Sequence, residues 1–146
     1  MGASGTSMSC PQIAGSAALL QQRYKHLHGG AYPTSALIKT ILMNGAIDAG
    51  IPGPDFTFGF GIVDLTRSLI MMDSNRYLQG SIAQGTAQTP VTITVPPNTG
   101  QLKVMLYWHD QPASPMAVTQ LVNDLDLNVR DPASADHLPA ILDPGR

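Results

Sequence analysis

Near its start the chain reads Gly5-Thr6-Ser7-Met8-Ser9-Cys10-Pro11, three hydroxyls within four residues followed directly by a run of alanines and leucines. Two chemistries fit such a stretch. In the first it is only a helix start: Thr6, Ser7 or Ser9 caps the orphan N–H groups, and Pro11 occupies the first turn, where a missing N–H costs nothing. In the second, Ser7 is a nucleophile for acyl transfer. A serine at the mouth of a buried helix meets unpaired N–H groups and the positive end of the helix dipole, both of which favour developing negative charge. Its own backbone N–H can then point at an oxyanion. Gly5 permits a tight turn and a close substrate approach, and Ala14, Gly15 and Ala17 let the helix sink into a core that holds the serine still.

Few other residues offer chemistry. Asp124 and Asp126, in Asn123-Asp124-Leu125-Asp126 with Asp110 and Asp131 nearby, are candidate calcium ligands, although the spacing is not that of an EF-hand. The competing reading makes them the outward residues of a strand whose Leu125 and Leu127 point inward. His26 and His28 close the first helical stretch, roughly 30 Å from Ser7 at 1.5 Å per residue. His109 stands beside Asp110 at a strand end, and His137 stands in a loop. None of the four is placed to serve Ser7 as a base. Cys10 is the single cysteine, which excludes an intrachain disulfide and a cysteine-based zinc site. It reads as a small buried residue, and Trp108 reads as core. Gly29-Gly30 lacks the lysine of a phosphate loop.

Residues 11–28 read as the helix behind Ser7, apolar all round at first, then polar, and ended by Gly29-Gly30. Leu37, Ile38, Ile41 and Leu42 give a second helix with Thr34 or Ser35 as cap and Asn44-Gly45 as close. Residues 48–61 are rich in glycine and proline and read as loop. A short helix over 65–71 is capped by Asp64. Beyond Asp73 the period falls to two: Val91, Ile93, Val95; Leu102, Val104, Leu106, Trp108; Leu125, Leu127, Val129. These predict antiparallel strands with one buried face. The expected organisation is a helical piece over 1–73 and a β piece over 74–146. Three or four strands ending at Pro144-Gly145-Arg146 are few for a sandwich, so the chain reads as cut at both ends.

Composition narrows the function classes. The 146 residues are 43% hydrophobic but only 12% charged, with net charge −2. That is core enough for a folded domain, with a surface suited to lie against other protein. No basic run marks a nucleic-acid site, and no apolar stretch reaches a membrane span. No targeting segment is visible.

Residues 4–15, SGTSMSCPQIAG, resemble the nucleophile segment of the subtilisin-like serine proteases, usually Gly-Thr-Ser-Met-Ala-x-Pro before a small-residue helix. Ser9 stands where alanine is commoner, and Cys10 fills the variable position. LIKTILMNGA resembles that family's next helix, and FGFGIVDLTRSL the glycine-rich close of its catalytic domain. LKVMLYWHDQPASP followed by LVNDLDLNVRDP resembles the β-sandwich domain that some bacterial members carry after it. The resemblance implies an α/β fold class for 1–73, as the C-terminal part of a catalytic domain, and an incomplete all-β sandwich or jelly roll for 74–146. It implies Ser7 as nucleophile, supported by Gly5, Thr6 and Pro11, a peptide or protein substrate, a secreted parent and no committed cofactor beyond the candidate calcium. The family's aspartate, histidine and oxyanion asparagine precede the serine, so none lies in this chain, which on its own is expected to be inactive. The alternative is a noncatalytic secreted binding or adhesion module that keeps the scaffold.

Overall fold

The computed structural model describes residues 5–140 and 142. Three helices, α1 (Thr6–Leu27), α2 (Ser35–Gly45) and α3 (Leu65–Asp73), precede a small antiparallel pair, β1 (Val129–Arg130) and β2 (Asp136–His137). The described chain is therefore mostly helical, with one two-stranded sheet in register Val129 to His137 and Arg130 to Asp136. The expected end at Pro144-Gly145-Arg146 lies outside the described residues.

Local chemistry sets the helix bounds. The Thr34 hydroxyl accepts from Leu37 N at 3.2 Å, and the Asp64 carboxylate accepts from Arg67 N at 3.0 Å; both satisfy donors that a helix start leaves unpaired. α3 closes with Asn75 at φ 50°, where Arg76 N donates to Met71 O at 2.9 Å and Asn75 N to Met72 O at 3.1 Å. That double bond is a Schellman close. At the end of α1, Gly30 N donates to Lys25 O at 2.7 Å. α1 starts five residues earlier than the sequence suggests, so Pro11 lies inside the helix.

The core is the meeting point of the three helices. Leu20 and Tyr24 from α1, Leu37, Ile38 and Ile41 from α2, and Met72 from α3 are buried together. Ser68 is the buried polar residue of this seam; its hydroxyl donates to Asp64 O at 2.9 Å, with Ile41 O at 3.4 Å. α2 and α3 touch at Gly45, where a Cβ would lie 2.5 Å from Ser68 Oγ and 3.1 Å from its backbone nitrogen. Between them, 48–61 is the expected loop. It is closed by an Ile47–Ile62 bridge and by Asp55, which accepts from Thr57 N and Phe58 N. Gly61 holds φ 101°, and a Cβ there would run into the Ile47 carbonyl, so only glycine fits.

The alternating stretches behave differently from the strand reading. Residues 91–95 and 102–108 join no ladder among the described residues, and Val91, Ile93, Leu102 and Val104 are exposed. Each needs a neighbouring strand to turn alternation into a sheet. Only the third set shows the expected pattern, with Leu125, Leu127 and Val129 half-buried and Asp124 and Asp126 outside. Trp108 is half-buried rather than core, and its Nε1 donates to Asn123 O at 3.1 Å.

Gly45→Ala tests the helix crossing. A glycine-to-alanine change inside a helix ordinarily stabilises by about 0.5–1 kcal/mol. Here the overpacking against Ser68 is expected to destabilise by about 1–3 kcal/mol, read as a lower denaturant midpoint. A raised midpoint would show that the crossing has room.

Candidate active site

Ser7 is the second residue of α1. The helix is capped by Gly5 (φ 154°, ψ 166°), a backbone region that essentially only glycine enters, and no side chain caps it. The Gly5 carbonyl accepts from Met8 N at 3.0 Å and Ser9 N at 3.3 Å, with Ser9 Oγ at 3.4 Å. The Ser7 hydroxyl makes no hydrogen bond among the described residues, and neither does its backbone N–H, which stands in the turn where a helix has no carbonyl to offer. Pro11 lies four residues on. Its missing N–H leaves the Ser7 carbonyl without the usual i+4 donor. The serine is thus set at the positive end of a 22-residue helix with its polar atoms free of the helix's own hydrogen bonding.

The surroundings differ from the expected buried mouth. α1 packs on α2 and α3 through its later turns, whereas its first half is exposed: Met8 is 45% and Ile13 42% accessible. A Cβ at Gly15 would meet open space. Cys10, read as buried, is exposed and free for the same reason. Ala14 and Gly15 therefore present a smooth face that nothing among the described residues covers, while Ala17 packs against the core.

The histidines are engaged elsewhere. His28 stacks on Tyr24 at 3.8 Å between centroids, with Nδ1 on Tyr24 O at 2.9 Å and Nε2 on Tyr77 Oη at 3.1 Å. His109 Nε2 meets Ser35 Oγ at 2.9 Å, and His137 Nε2 meets Asp131 at 3.2 Å. His26, on the last turn of α1, is exposed. The Ser35–His109 contact spans 74 positions, and nothing in the spacing announces it.

Asp110 and Asp131 of the β part accept mainly from backbone N–H groups, and Asp136 accepts from the Arg130 side chain. Burial works against ionisation of Asp110, but donors from Val122, Asn123 and Gln111 outweigh it and hold the carboxyl below its ordinary range. Ala135 N, His137 and Ala133 N do the same for Asp131, and Arg130 for Asp136. Among the described residues no three His, Cys, Asp or Glu side chains gather as metal ligands. Asp124 and Asp126 are exposed.

Residues 1–61 match the Subtilase family. A stretch of 66 residues, 45% of the chain, is 45% identical to an extracellular serine protease of Serratia marcescens and spans 6% of that protein's length. No solved structure matches. The first part of the chain is therefore similar to a segment of the subtilisin-like serine proteases. No helix among the described residues is long and apolar enough to cross a membrane.

Two measurements probe these geometries. Because Ser7 caps nothing, Ser7→Ala is expected to change stability by less than about 0.5 kcal/mol, whereas Thr34→Ala, which removes a real cap, costs about 1 kcal/mol. Equal losses in thermal unfolding would return Ser7 to a capping role. The depressed Asp131 and Asp136 contribute stability above the ordinary carboxylate value, about 3.9, that is lost as pH falls through their lower folded values. In an NMR pH series the Ala133 and Ala135 amides are expected to shift with a midpoint below about 3.9; a midpoint at or above it would contradict the hydrogen bonding described.

Proposed function

We propose that this chain is the part of a subtilisin-like serine endopeptidase that carries the nucleophile, Ser7. The observation that carries this reading is the placement of Ser7 at the mouth of α1, its hydroxyl and N–H without partners among the described residues, inside a segment matching the Subtilase family. In the reaction an upstream histidine, oriented by an upstream aspartate, takes the Ser7 proton as Oγ attacks the peptide carbonyl. The Ser7 N–H and an upstream asparagine hold the oxyanion, Gly5 and Thr6 shape the turn, and Pro11 frees the first turn's carbonyl. The same upstream residues cover the exposed first half of α1, where the small side chains and the low charge of the chain suit close packing against protein.

On this reading residues 1–73 end the catalytic domain at α3, and residues 74–146 begin a β-sandwich whose remaining strands pair with 91–95 and 102–108. The substrate is a peptide or protein. Secretion of the parent is supported by the extracellular relative. Among the described residues the Ser7 hydroxyl meets no base within the reach of about 2.6–3.2 Å that general-base catalysis needs.

A fluorophosphonate probe tests the assignment. A chain extended to include the upstream triad residues is expected to label at Ser7 and to hydrolyse peptides, and Ser7→Ala abolishes both, with a loss of several orders of magnitude in rate. The 146 residues alone are expected to give neither. Strong labelling of the short chain that Ser7→Ala removes would overturn its catalytic incompleteness. An extended chain that never labels would favour the noncatalytic binding module.

A further inference from the structure

Residues 103–109 lie along the exposed side of α2, and their contacts form a ladder. Lys103 Nζ donates to Met43 O at 3.3 Å and to Ala46 O at 3.4 Å, and Asn44 Nδ2 donates back to Lys103 O at 3.4 Å. One turn toward the helix start, Lys39 Nζ donates to Tyr107 Oη at 3.2 Å and stands 5.4 Å from the ring centroid. At the first residue of α2, Ser35 Oγ meets His109 Nε2 at 2.9 Å, and Tyr107 packs edge-on against the same imidazole. As the segment advances from 103 to 109, its contacts retreat from 46 to 35. The two therefore run antiparallel, and the odd-numbered residues of the segment share the helix-facing side. Six residues at about 3.3 Å each cover roughly 20 Å, enough for a helix of eleven residues at 1.5 Å per residue.

The contact at 43–46 is chemically distinct. The last carbonyls of an α-helix lack intrahelical N–H partners and carry the negative end of its dipole; in α2, Met43 O accepts from Ala46 N at 3.4 Å. α2 has no basic residue in its own last turn, and its C-cap residue is Ala46, which brings no side-chain donor. The ammonium that meets this end comes from a residue 57 to 60 positions downstream.

We propose that segment 103–109 is a built-in strap for α2, with Lys103 supplying the positive charge that the last turn of the helix lacks. The partner of α2's exposed side is thus this chain's own β part. Because α2 supplies Leu37, Ile38 and Ile41 to the seam that seats α1, the strap steadies the helical unit from outside its core. It is independent of any catalytic role for Ser7.

Hydrogen exchange on the intact 146-residue chain reads the strap directly. Lys103→Met keeps the length of the side chain and removes its charge and donors. It is expected to lower protection of the last-turn amides of α2 about 2- to 5-fold, the range of a helix-end charge interaction, while Lys103→Arg restores it. Lys25→Met, on α1, leaves α2 unchanged. In the wild type, 1 M salt is expected to reproduce the Lys103→Met loss by screening, and to add little in the variant. Unchanged α2 protection in Lys103→Met would overturn the proposal. So would salt-insensitive protection in the wild type, or equal losses in Lys103→Met and Lys103→Arg.

Discussion

The seam where Leu20 and Tyr24 meet Leu37, Ile38, Ile41 and Met72 is the contact on which the rest of the chain hangs. Each such side chain contributes about 1.5–3 kcal/mol on leaving water, and the described residues show no second core of comparable depth. The seam closes only because Gly45 lets α2 approach α3 until the helix backbone touches Ser68. The Arg23–Asp73 pair at 2.7 Å also links α1 to α3, but it is exposed to solvent and adds little. Packing, rather than charge, sets the angle at which α1 leaves the cluster.

That angle matters because α1 is held from one end. Its later turns are clamped in the seam while its first half, from Thr6 to about Gly15, is exposed. An isolated helix of about 12–15 residues is marginal in water, and this one carries Pro11 within it. The unsupported half persists because the clamped half has already met the cost of nucleation, so each further turn adds hydrogen bonds without a new nucleus. Ser7 therefore sits at the tip of a lever whose fulcrum is Leu20 and Tyr24. Packing against the small-residue face would hold that tip more rigidly than the helix alone does.

Much of the helical unit was legible because its signals are local. Thr34 and Asp64 cap where their side chains can reach, and Leu37, Ile38 and Ile41 mark a face by spacing alone. The start of α1 was misread for an equally local reason: proline favours the first turn, yet here it is tolerated further in, where it deletes the bond to Ser7. The β part resisted reading because strand pairing is a long-range choice. Alternation located Leu102, Val104 and Leu106 correctly as one set and assigned them the buried side. With no strand beside them they stay exposed, and the odd-numbered Lys103, Tyr107 and His109 bond to α2 instead. No spacing rule couples position 103 to position 46. The burial of Cys10 failed likewise, since an apolar helix face says that something must cover it and not that this chain does.

The chain also separates two requirements of a serine nucleophile that an active site must unite. Ser35 and His109 have the proximity, with Oγ and Nε2 at 2.9 Å, but both are exposed to water, and the other imidazole nitrogen faces only Tyr107 Oη at 3.4 Å. Without a carboxylate to stabilise an imidazolium, and in a high dielectric, that contact does not activate the serine. Ser7 has the complementary half: a hydroxyl and N–H without hydrogen-bond partners among the described residues, at the positive end of a long helix, and a turn shaped by glycine. Electrostatic preorganisation is fixed by the local fold and travels with the segment. The proton acceptor of a serine nucleophile is instead a tertiary feature, supplied by segments distant in sequence.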